Sequence, residues 1–129
     1  MNGGGVVREN ILKTKSYAFA LRIVKLYKYL CMQKEYVLSK QVLRSGTAVG
    51  ALVSEAEFGQ SKADFISKLS IALKEANETL YWLSLLKDAE YIDKKMLTSI
   101  KPEIEELIKL LISSINTAKT NLTNKKDNK

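Results

Sequence analysis

Residues 61–86, SKADFISKLSIALKEANETLYWLSLL, contain neither proline nor glycine. Phe65, Leu69, Leu73, Ala76, Leu80, Leu83 and Leu86 recur at intervals of three or four, the period of an α-helix sustained over about seven turns. Ile66, Ala72 and Trp82 widen the apolar face beyond a coiled-coil seam. A helix so long and so apolar needs neighbours on more than one side.

Three further segments can supply them. In the first, Thr14 or Ser16 can cap a helix whose apolar face is Phe19, Ile23, Leu26 and Leu30, extended by Ala20, Val24 and Tyr27. After a short connection at Gln33–Leu38, Ser39 is the expected cap of a second helix carrying Val42, Val49, Val53 and Ala56. Its centre is small throughout: Ser45, Gly46, Thr47, Ala48, Gly50 and Ala51. Each glycine costs a helix interior about 1 kcal/mol against alanine, and the return is close approach by a neighbouring backbone; a ligand groove is the alternative. Gly59 ends the helix, and Ser61 with Asp64 outlines a capping box for the third. Asp93 can cap a fourth, with Met96, Ile100, Ile104, Leu107, Leu111, Ile115 and Leu122 on its apolar face. Pro102 allows two versions: a helix starting after Ser99, or one starting at Asp93 and bending near the proline. The periodicity of Met96 and Ile100 favours the second. The expected fold is all-α, an antiparallel up-and-down four-helix bundle with helices near 14–32, 39–58, 61–90 and 93–122. The bundle domain spans 14–122, between a flexible N-terminal segment, 1–13, and a polar C-terminal tail, 123–129.

The residue inventory argues against catalysis. Histidine, the commonest general base and metal ligand, is absent, and Cys31 is the one cysteine. No glycine loop stands between a strand and a helix to cradle phosphate. Glu55, Glu75 and Glu78 could point inward from adjacent helices, but the Glu-x-x-His pairs of a bundle dimetal site are missing. Glu55 can instead pair with a basic group across a helix boundary. No enzyme activity, cofactor or metal is expected. No apolar run reaches the length of a membrane span, and the first ten residues lack a signal-peptide core; the expected location is the cytoplasm.

Charge is the informative part of the composition. The net charge of +7 lies wholly in the first third: nine basic and two acidic residues up to Arg44, then twelve of each. Such asymmetry suits a surface facing a polyanion, and equally a solubilising one. Lys15, Arg22, Lys25 and Lys28 fall to one side of the first helix's apolar stripe, and Lys40 and Arg44 begin the adjoining helix. These six are the candidate nucleic-acid contacts, though Arg44 can also serve as a structural partner of Glu55. Tyr17, Tyr27, Tyr29 and Tyr36 interleave with the lysines, as stacking on bases requires, but Tyr27 is more simply a core-edge residue.

Gln41–Glu57, QVLRSGTAVGALVSEAE, resembles the signature of the four-helix-bundle family of proteins encoded in intervening sequences of 23S ribosomal RNA genes: a Gln-x-x-Arg-Ser opening (Gln41, Arg44, Ser45), a small-residue stretch, then the acidic Glu55. Asp64–Leu83 resembles the next block, with Phe65, Leu69, Ala72, Glu75, Glu78 and Leu83 at matching places. The chain departs from the pattern at Leu52, where an asparagine is usual, and at Ala56, often a glycine. The resemblance implies a four-helix bundle assembling as a ring-shaped homopentamer. The chain also resembles the accessory protein of diversity-generating retroelements, a basic pentameric bundle that binds nucleic acid and partners a reverse transcriptase. The expected function is therefore a basic, oligomeric, non-catalytic module that binds RNA or DNA or accompanies an enzyme that does. A structural or protein-interaction bundle without nucleic-acid binding is the alternative.

Overall fold

The periodic segments form four helices: α1 (Gly3–Met32), α2 (Leu38–Glu57), α3 (Lys62–Asp88) and α4 (Lys94–Asp127). The computed structural model describes residues 3–127, with side chains from 11 to 124. Met1, Asn2, Asn128 and Lys129, which belong to the expected flexible start and polar tail, lie outside the described residues. Each helix packs on its neighbour in sequence and α4 returns to α1, the up-and-down, all-α bundle that the periodicity predicts. The core is a single cluster. Phe19, Ile23 and Leu30 of α1 meet Val42 and Val49 of α2, Leu69, Leu83 and Leu86 of α3, and Ile104, Leu107 and Leu111 of α4.

The element ends show what the caps do. Ser61 Oγ accepts from Asp64 N at 3.0 Å, and Asp93 Oδ1 accepts from Met96 N at 2.8 Å, as expected. Ser39 is not a cap: α2 begins at Leu38, and the buried Glu35 carboxylate accepts from Ser39 N at 2.6 Å. The glutamate, four residues upstream, reaches forward to the first turn that Ser39 has already joined. α1 and α3 both close through a non-glycine residue with positive φ, Lys34 at 63° and Glu90 at 68°. The following amides, Glu35 N and Tyr91 N, return to the carbonyls of Leu30 and Leu86, the bonds of a Schellman ending.

Two boundaries differ from expectation. α1 starts well before residue 14, and Leu12, inside the segment expected to be flexible, is 1% exposed in the core. α4 likewise runs past residue 122. Pro102 lies inside α4, which continues through it, in line with the version starting near Asp93. Proline cannot donate to the Thr98 carbonyl, and Arg22 of α1 donates to the next one, Ser99 O, at 3.1 Å.

The small-residue run of α2 is a packing device. A Cβ built on Gly46 would stand 2.7 Å from Ile23 Cγ1, and one on Gly50 would stand 3.2 Å from the Ser16 carbonyl oxygen. α1 therefore occupies the space that the two missing side chains leave. On the other flank of α2, the buried hydroxyls of Ser45 and Thr79 share a 2.8 Å hydrogen bond to α3.

Candidate nucleic-acid interface

Of the six expected basic contacts, the structure sets three into ion pairs. Lys15 Nζ lies 3.1 Å from Glu106 of α4. Arg22 pairs with Glu103, and its Nη2 donates to Ser99 Oγ at 2.9 Å. Arg44 pairs not with Glu55 but with Glu75, at 3.0 Å, and with Glu78, both on α3; it also donates to Gln41. Glu55 instead faces Lys68 across the α2–α3 boundary at 4.0 Å. Trp82 Nε1 donates to Glu78 at 3.0 Å. That indole bond and the Arg44 guanidinium hold the Glu78 carboxyl below its ordinary range, against the opposing effect of burial. Glu75 and Glu78 are thus engaged by Arg44. Among the described residues no group of three or more acidic, cysteine or histidine side chains is placed to hold a metal.

Lys25, Lys28 and Lys40 are exposed, with no ion pair among the described residues. They share one end of the bundle, where α1 closes and α2 opens. The antiparallel path brings the α3–α4 corner to the same end: Gln33 Nε2 donates across to the Tyr91 carbonyl at 3.0 Å. That corner carries Lys94 and Lys95, exposed and unpaired among the described residues, along with Lys87, which leans toward Asp88 at 3.6 Å. Lys34 adds another exposed charge at the α1–α2 corner. Of the acidic side chains of this end, Glu35 is buried against Ser39, Asp88 is beside Lys87 and Asp93 caps α4, while Glu90 is exposed with no ion pair among the described residues. Tyr29 and Tyr36 are exposed among the lysines.

Within this end a groove of about 410 Å³ opens between α1 and α4. Leu26, Ile92, Met96 and Ile100 form its floor, and Arg22, Lys25, Tyr29, Lys95 and Ser99 its walls. Lys94 and Lys95 were not among the expected contacts, because the charge balance beyond Arg44 is zero in sequence. A signal was nevertheless present: in an antiparallel bundle the start of the fourth helix must lie beside the end of the first.

Comparison with known proteins places this architecture. Residues 8–113 match the family described as 23S rRNA-intervening sequence protein. A crystal structure of a protein of unknown function from the S23 ribosomal protein family of Bacteroides thetaiotaomicron is similar at 58% identity and a TM-score of 0.83. The similarity covers 84% of this chain and 98% of that one. No curated protein matches. The chain belongs to the 23S rRNA-intervening sequence protein family. No helix among the described residues is long and apolar enough to cross a membrane.

Proposed function

We propose that this member of the 23S rRNA-intervening sequence protein family is a non-catalytic nucleic-acid-binding module that engages phosphates through its basic end. The observation that carries the reading is the gathering of Lys25, Lys28, Lys40, Lys94 and Lys95, all exposed and unpaired among the described residues, from two corners of the bundle. Lysines used this way contact phosphate and carry little sequence information, so RNA and DNA are both substrates of the surface. Assembly strengthens it. Ile71 and Tyr81 of α3 are exposed apolar or aromatic residues, suited to contact between copies of the chain away from the lysines of α1. The family resemblance supplies the number five. A homopentamer repeats the basic end around a ring, which multiplies weak phosphate contacts. The same exposed residues favour the second reading, a protein-interaction bundle. A reverse transcriptase as protein partner, and the cytoplasm as its location, are proposed on resemblance and on the sequence respectively.

The test is a titration of labelled structured RNA and duplex DNA, with sedimentation equilibrium on the same preparation. For four phosphate contacts, affinity falls about a hundredfold between roughly 50 and 200 mM salt. Absence of binding to either polymer at low salt contradicts the reading and leaves the interaction bundle. A monomer mass at micromolar concentration contradicts the assembly.

A further inference from the structure

We infer that the groove between α1 and α4 receives one unpaired nucleobase, so that the protein prefers bulged or single-stranded nucleic acid to a fully paired duplex. The inference rests on the nucleic-acid reading above and names the feature of the polymer that the basic end selects. A lysine patch that served only duplex phosphates would need no apolar recess. Here Lys25 and Lys95 flank a floor of Leu26, Met96 and Ile100. Leu26 and Ile100 are 8% and 5% exposed and belong to the bundle core, so the floor is rigidly backed. The volume of about 410 Å³ lies in the range of small-ligand sites and leaves room for one base with its sugar. A base is a flat, largely apolar body joined to a phosphate, which matches an apolar floor between two cations. A base in a duplex is stacked on both faces and cannot reach such a floor, whereas a bulged base can. Ser99 adds a polar point on the wall. Its Oγ accepts from Arg22, which leaves the hydroxyl proton to donate to an acceptor on a base edge. Arg22 is fixed by Glu103 and Ser99 and acts as a wall, so Lys25 and Lys95 are the phosphate contacts.

Three labelled duplexes with the same number of base pairs isolate the base: one with a central single-adenosine bulge, one with the same bulge abasic and therefore the same phosphates, and one fully paired, which has one phosphate fewer. The adenosine bulge is expected to bind on the order of tenfold more tightly than the abasic bulge, the contribution of one stacked base. Ser99→Trp, which fills the groove from an exposed position, removes that difference, and a folded variant that keeps it overturns the inference. Met96→Phe is the second groove-filling variant should the first lose its helical circular dichroism. Equal affinity of the wild-type protein for the adenosine and abasic bulges overturns the inference while the basic-end reading stands. Failure of all three duplexes to bind at low salt overturns both.

Discussion

Across the α2–α3 seam the helices are tied by specific polar contacts: the buried Ser45–Thr79 hydroxyl pair and Arg44 set between Glu75 and Glu78. Across the α1–α4 seam the ties are partly exposed ion pairs, Arg22–Glu103 and Lys15–Glu106, and one end stands open as the groove. The contrast follows from the residues on each flank. Small side chains on α2 let its neighbours come close, so that short hydroxyls can meet. α1 and α4 face one another with arginine, lysine and glutamate, whose length holds an edge open. Close packing is therefore concentrated around α2, and the recess forms where the last helix returns to the first. The two seams should respond differently to substitution.

The largest effect is expected on the tight side. Gly46→Val puts two methyl groups and a Cβ where Ile23, fully buried, already stands, and should cost about 3 kcal/mol by urea denaturation. A loss below about 1 kcal/mol would mean that α1 can move away from α2 freely. Thr79→Val keeps the shape and strands the Ser45 hydroxyl, which is 0% exposed; a loss of about 2 kcal/mol is expected. Trp82→Phe removes the indole bond to Glu78. Because the Glu78 carboxyl titrates below its ordinary range in the folded protein, its contribution is present above that range and is lost as pH falls through the lowered value. The stability gap between wild type and Trp82→Phe should therefore be wider near pH 7 than near about pH 3. The smallest effect belongs to the open seam: Arg22→Gln should cost less than about 1 kcal/mol, since both partners of its ion pair are partly solvated. A loss of about 3 kcal/mol there would erase the contrast between the seams.

Much of the bundle was legible because burial writes itself as periodicity. Leu69, Leu83 and Leu86, picked out by their spacing alone, are buried, and Ser61 and Asp93 cap the helices they were expected to cap. Gly3–Gly5 concealed the start of α1, since local propensity speaks against a helix there while the helix runs through these residues and carries Leu12 into the core downstream. The partner of Arg44 was illegible for a different reason. Glu55 is eleven residues along the same helix, about 16 Å away by helical rise, while Glu75 and Glu78 reach Arg44 only through the register of α3 on α2. The basic end was half visible. Lys25, Lys28 and Lys40 stood in the charged first third, but Lys95 joins them only after the chain has folded back, and a running charge balance cannot register that.

The two ends of the bundle give the most direct test of the proposal that the basic end binds nucleic acid. Lys25, Lys28 and Lys95 at one end are compared with Lys13, Lys62 and Lys68 at the other, where Lys13 and Lys68 face Glu57 and Glu55. Each set is changed to glutamine in a separate protein, and the salt dependence of RNA binding is measured for both. The first triple variant should lose about three units of the log–log salt slope, one for each phosphate contact removed, and the second should keep the wild-type slope. Equal slopes in all three proteins, or a loss confined to the second variant, would contradict the assignment of binding to the basic end.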